Sequence, residues 1–320
     1  MTDTLIAPEE TDAAVDADNY VRLLERISAQ SVTKHFDAYA DVPWDDPEFA
    51  IDPADPRWAE DVDESLKATS WFQAQPASVQ SAIGLHYIAT RMKAGLQFEG
   101  ILKRGLLEYA ATLKNRDPEF RYALHEVIEE AQHSLMFQEF INRTPFDPPG
   151  LSFADRVGAR RVIGFGRRFP ELFFIFVLGG EDPIDHVQRK ALRSGEAIHP
   201  LLERIMRIHV TEEARHLSFA RHYLKRNVPR LSFARRMVLS VAAPSILAQM
   251  AVLMMQPPRE IKRTYNIPPE VIAEAYTDNP QHRVDTAESL RKVRQLCRQL
   301  GLINPVSKRI WVNASIWAED

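Results

Sequence analysis

The chain has 320 residues, 45% hydrophobic and 26% charged, the composition of a globular protein with a sizeable core. A formal net charge of −4 gives no electrostatic reason to expect nucleic acid as a partner. The single cysteine, Cys297, excludes an internal disulfide framework, fits a reducing cytoplasmic setting and stands too alone to serve as a nucleophile.

The opening MTDTLIAPEETDAAVDAD is acidic and lacks the basic start and apolar core of a signal peptide. Residues 1–18 are therefore expected to form a flexible tail, and residues 19–320 a single domain. Apolar spacing predicts helices near 19–36, 77–113, 117–142, 168–195, 200–226, 231–256 and 281–301, with core helices from 77 to 256. Asp117-Pro118-Glu119 is a clear start signal, with a proline suited to the first helical position. The connectors 41–58, 143–150 and 257–270 are proline-rich, and no run alternates with period two, so the chain is expected to be all-α.

Three stretches raise local questions. GARRVIGFGRRF, 158–169, reads as a basic solvated loop, with docking of an acidic reductase such as a ferredoxin as its functional alternative. Pro183 removes a helical hydrogen bond; it predicts a bend, or a new helix starting at Pro183 with Asp182 as its cap. Residues 237–255 carry no charge and have the length of a bilayer span, but Ser240, Pro244, Ser245 and Gln249 interrupt them. A buried core helix is expected there, and no membrane span.

The chemistry-bearing pattern is a coarse internal echo. Glu130 and His133 form Glu-x-x-His, as do Glu213 and His216, and three residues bring both side chains to one helix face. A third match, Glu196 and His199, lies between Gly195 and Pro200 at a helix break and reads as coincidence. Glu99 stands 31 residues before Glu130, and Glu181 stands 32 before Glu213. Each half thus reads as a helix with Glu, a turn, and an antiparallel helix with Glu-x-x-His. At about 1.5 Å per residue the ligands meet at mid-height.

Each acid sits on an apolar stripe. Glu99 has Met92, Leu96 and Leu102; Glu130 has Phe120, Ala123, Val127, Phe137 and Ile141; Glu181 follows Phe174 and Val177; Glu213 lies with Ile205, Met206 and Leu217. Four buried carboxylates are untenable without cations, and two divalent metals neutralise them, as in the di-iron and di-manganese carboxylate bundles. Carboxylate with imidazole suits iron or manganese. His209, four residues before Glu213, fits either a hydrogen-bond donor behind the ligands or a seventh ligand. Glu126 holds the equivalent place in the other half and is expected to support the site or face solvent rather than ligate. Arg91, Gly95, Phe98, Phe137, Phe174 and Val177 are candidate pocket walls.

Four stretches carry a resemblance: LQFEGIL around Glu99, VIEEAQHSLMF around Glu130 and His133, FVLGGED around Glu181, and RIHVTEEARHLSF around His209, Glu213 and His216. Over residues 70–260 the chain resembles the p-aminobenzoate N-oxygenase family of di-iron arylamine oxygenases. The resemblance implies a ferritin-like helical bundle with extra N- and C-terminal helices. It implies seven metal ligands, Glu99, Glu130, His133, Glu181, His209, Glu213 and His216, with His209 matching the extra histidine that marks that family. It further implies two iron ions, manganese being admitted at one or both positions, and O2 activated through a peroxo intermediate. The substrate would be a small-molecule amine taken to hydroxylamine or nitro, the electrons would come from an external donor such as a ferredoxin or reductase, and the protein would be a homodimer. The residues alone leave three alternatives: a C–H hydroxylase, desaturase or other oxidase on an apolar substrate, a non-redox metal-binding helical protein, and a helical protein whose apparent ligands are satisfied core polar groups.

Overall fold

The computed structural model describes residues 12–319 other than Asp61 and Glu196, with side chains described from Asp18 onward. Among them there is no strand, and the expectation of an all-α chain holds. Helix α1 spans Asp12–Thr33, so residues 12–18, expected in the tail, belong to its first turns; the rest of that tail lies outside the described residues. Three single-turn helices follow, α2 Arg57–Glu60, α3 Glu64–Lys67 and α4 Ser70–Gln73.

Four long helices hold the site: α5 Ala77–Ala110, α6 Pro118–Asn142, α8 Pro170–Ala191 and α9 Pro200–Asn227, with α7 Phe153–Arg168 between the pairs. Prolines at the first turn of α6, α8 and α9 start them where a missing N–H does no harm. His199 caps α9 through its side chain and stacks on Trp58 at 4.2 Å, which gives the third Glu-x-x-His histidine a structural task. Helix α5 packs on α6 and α7, and α8 packs on α9 and α10. The segments joining α5 to α6 and α8 to α9 are short, so each of these two pairs runs antiparallel. The chain then adds α10 Phe233–Met255, α11 Arg259–Thr264, α12 Pro269–Ile272, α13 Pro280–Ser289, α14 Arg291–Gln299 and α15 Pro305–Asn313.

Several expectations are corrected. Residues 158–169 are not a loop but most of α7, capped by Ser152. That helix crosses α5 so closely that a Cβ on Gly166 would lie 2.0 Å from the Gly105 carbonyl oxygen. The stretch 281–301 is two helices divided at Leu290. Phe120 is exposed and does not line the stripe of Glu130.

Pro183 starts no new helix, since α8 runs through it. The hydrogen bond it cannot make is to the carbonyl of Gly179, and buried packing against α5, α9 and α10 holds the course of the helix. Phe233–Thr264 is, among the described residues, the run long and apolar enough to cross a membrane by length and composition. Its inner face, with Leu239, Ala243, Leu247 and Met250, is buried, but Val238, Val241, Val252 and Leu253 are exposed, so this helix is only half covered. Cys297 is buried, and burial pushes its thiol up to about 12, an inert position.

Candidate metal centre

All seven residues picked out above converge in the core of the four-helix arrangement. Each is at most 2% exposed. Their oxygen and nitrogen atoms form overlapping triads within 4.8 Å: Glu99 with His133 and His209, Glu130 with His133 and Glu213, and Glu181 with His209 and Glu213. Glu126 joins a fourth triad with Glu130 and His216.

The imidazoles are aimed by their outer nitrogens. His133 turns Nδ1 inward, 3.0 Å from Glu130 Oε2, 3.6 Å from Glu213 and 3.9 Å from Glu99. Its Nε2–H donates to Glu212 Oε2 at 3.0 Å. His216 repeats this, with Nδ1 3.1 Å from Glu130 and 3.0 Å from Glu213, and with Nε2–H donating to Glu129 Oε2 at 2.7 Å. His209 is reversed: Nδ1–H donates to Gln188 Oε1 at 3.0 Å, and Nε2 lies 3.7 Å from Glu99 and 3.9 Å from Glu213. A carboxylate or amide oxygen can only accept, so it fixes the proton on the outer nitrogen and leaves the inner lone pair free for a metal.

Glu129 and Glu212 were not singled out from sequence. Each immediately precedes the glutamate of a Glu-x-x-His and reaches across to the histidine of the other helix. Arg215 ties the two together, donating to Glu129 Oε1 at 2.8 Å and to Glu212 Oε1 at 3.4 Å. The signal was present as a doubled glutamate in both IEEAQH and TEEARH.

Charge explains why a metal fits. Burial first, then neighbouring carboxylates, pushes Glu99 and Glu181 well above the ordinary carboxyl range. Burial also raises Glu213, and lifts Glu126 to about 8. Against the same burial, Glu130 and Glu212 raise His133 to about 10, while His216 and Arg215 hold Glu129 down at about 2. These shifts share a cause. Five carboxylates crowd a water-poor volume, so the cluster draws positive charge as protons or as metal ions. Burial and the nearby His133 keep His209 well below its usual value, hence neutral and able to ligate. Glu99 Oε2 and Glu213 Oε2 are buried without any hydrogen-bond partner and so are free to meet a cation; both oxygens of Glu126 are likewise buried without a partner.

One side of the cluster opens to a cavity of about 250 Å³ that Glu99, Glu181 and His209 help to line. Arg91, Gly95, Phe98 and Phe137 line it as expected, but Phe174 and Val177 do not. Phe174 instead packs among Tyr109, Phe219 and Tyr223, with ring centroids 4.5–5.5 Å apart.

Residues 17–301 match the family described as p-aminobenzoate N-oxygenase AurF. An uncharacterized protein of Mycobacterium bovis is 40% identical over 300 residues, covering 94% of this chain and 88% of its own length. An uncharacterized protein of Mycobacterium tuberculosis H37Rv shows the same identity and coverage. No solved structure matches the chain significantly.

Proposed function

The chain belongs to the p-aminobenzoate N-oxygenase family, a family of helical di-iron oxygenases, and on that premise we propose that it oxygenates the nitrogen of a small amine, toward hydroxylamine or nitro. In this reading Glu99, Glu130, His133, Glu181, His209, Glu213 and His216 hold two iron ions. The observation that carries it is the third imidazole, His209, whose Nε2 faces Glu99 and Glu213 while Gln188 holds its other nitrogen.

Bound there, ferrous iron supplies the electrons that activate O2. The protein's own residues supply the setting. Glu129, Glu212 and Gln188 orient the imidazoles. Met92, Phe98, Phe137, Leu202 and Met206 form an apolar wall beside Glu99 and His209 and keep water from the reacting atoms. That wall accommodates the apolar part of a small amine, and the lining of the same cavity also includes the acids Glu60, Asp63, Glu64 and Asp285. The same wall suits an apolar C–H substrate, which is the second reading. Manganese at one position, an external electron donor and homodimerisation belong to the proposal as expectations from the family.

The test is direct. Protein loaded with ferrous iron is exposed to labelled O2 and a panel of arylamines, and products are read by mass spectrometry. Label on nitrogen is expected. Label only on carbon transfers the chain to the hydroxylase reading, and failure to hold stoichiometric transition metal ends both.

A further inference from the structure

The side of the cluster facing away from the cavity is wired to the surface. None of Glu129, Glu212 or Arg215 lines the cavity. The Arg215 guanidinium reaches both Glu-x-x-His imidazoles through one carboxylate each: Glu129 to His216, and Glu212 to His133. The same Arg215 lines a groove between α1 and α9, along with Arg26 and Lys34. A second concavity shares Arg26 and continues along the same two helices, lined by Arg22, His222, Lys225 and Arg226. No carboxylate lines either concavity. Arg215 and Arg226 have acid partners, but Arg22, Arg26, Lys34 and Lys225 make no ion pair among the described residues. A chain of net charge −4 thus gathers cations without ion-pair partners over a hydrogen-bonded route to His133 and His216. Lys225 stands nine residues beyond His216, about 14 Å along the helix axis. That is a span that packed protein bridges by electron tunnelling.

We infer that the α1–α9 groove docks a small acidic one-electron carrier protein, and that Arg215, Glu129 and Glu212 form its route to the metal histidines. The inference rests on the di-iron oxygenase reading and names that site's electron donor by chemistry. Two reduced carriers each give up one electron, taking two ferric ions to two ferrous ions, and no covalent bond is made or broken. The charge complementarity is that of electrostatically steered association, fast and sensitive to salt. The arginine-rich α7, the docking face that the sequence offered, makes no hydrogen bond toward the cluster among the described residues.

The probe is a soluble acidic [2Fe–2S] ferredoxin. Its affinity for the full-length protein is measured by calorimetry at two salt concentrations, with and without iron loading, and its rate of reducing the iron-loaded protein by stopped flow. The variant carrying Arg22→Glu, Arg26→Glu and Lys225→Glu is expected to lose about tenfold or more in affinity and in reduction rate. Reduction by dithionite, which needs no docking surface, is expected to be unchanged. Arg160→Glu with Arg161→Glu on α7 is the control and should leave both quantities as they are. Equal ferredoxin binding by the groove variant and the wild type overturns the inference, as does loss confined to the α7 variant. Tighter binding of duplex DNA than of ferredoxin to the groove makes it a nucleic-acid surface and overturns it too. If ferredoxin binds the groove but dithionite finds no reducible metal, the oxygenase reading fails while the docking surface stands.

Discussion

The two halves of the cluster are near copies, and the place where they differ is informative. In the α5–α6 half, Glu99 meets Glu130 and His133; in the α8–α9 half, Glu181 meets Glu213, which lies against His216. Both Glu-x-x-His motifs are preceded by a glutamate that steadies the histidine of the opposite half. One turn further back the copies diverge. The α9 helix has His209, held by Gln188, and α6 has Glu126, which is buried with no hydrogen-bond partner. A pseudo-twofold site thus gains a neutral donor on one side and a buried acid on the other. Two metals bound here would not be equivalent.

The largest expected effect comes from removing what the halves share. Glu213 lies near all three imidazoles, at 3.0 Å from His216, 3.6 Å from His133 and 3.9 Å from His209. Glu213→Ala is expected to abolish binding of both metals, a loss exceeding the ~10–100-fold typical of residues that only support ligands. Metal analysis after loading reads this. The metal-free variant should melt no lower than the wild type, since it drops one of five crowded acids. A lower melting temperature with metal retained would assign Glu213 to the fold instead.

The next effect tests the divergence itself. His209→Ala should remove one metal and leave the other, while Glu126→Gln should leave both. In the metal-free protein burial raises Glu126 to about 8, so the acid is mostly protonated at pH 7 and its amide isostere changes little there. Loss of metal from Glu126→Gln would make Glu126 the counterpart of His209 as a ligand and restore the symmetry of the halves.

The crossed supports give a smaller effect. Glu129→Gln and Glu212→Gln each keep an acceptor for the histidine but surrender the charge facing Arg215, so each is expected to weaken metal binding by about tenfold. Glu129 has the shorter bonds, 2.7 Å to His216 and 2.8 Å to Arg215, against 3.0 and 3.4 Å for Glu212. Its substitution should therefore be the worse of the two in a competitive chelator titration.

Much of this was legible in the sequence because helical spacing and buried charge leave few solutions. The separations of 31 and 32 residues between Glu99 and Glu130 and between Glu181 and Glu213 carried the two-half arrangement, and the structure brings those residues together. What escaped was long-range. That Glu129 and Glu212 face inward depends on how α6 and α9 face each other, and an isolated helix pattern assigns a second consecutive glutamate to solvent. Helix α7 was misread because Gly158, Gly164 and Gly166 look like loop punctuation; at Gly166 the absent side chain is what lets α7 touch α5. Pro183 was weighed by its local penalty alone, and burial of α8 on several sides overrides it. Phe174 shares the helix face of Glu181 but stands two turns away, where the face meets an aromatic cluster rather than the cavity.

The smallest effect lies beside the two glutamates outside the Glu-x-x-His motifs, Glu99 and Glu181, where each half carries a glycine. Gly180 precedes Glu181, and a Cβ there would fall 2.0 Å from the tip of the Phe98 ring. Gly180→Ala should therefore push Phe98 toward the cavity it lines, cost about 1–3 kcal/mol and weaken binding of a ring substrate. Gly100 follows Glu99, and a Cβ there meets nothing within 4 Å. In the middle of α5 an alanine loses less backbone entropy than glycine, so Gly100→Ala should stabilise the protein by about 0.5–1 kcal/mol with metal content and turnover intact. Opposite signs in thermal melting separate a glycine kept for close packing from one with no packing reason at all. If Gly100→Ala also cost stability, backbone mobility beside Glu99 would be the property under selection, and the two halves would differ in flexibility as well as in ligands.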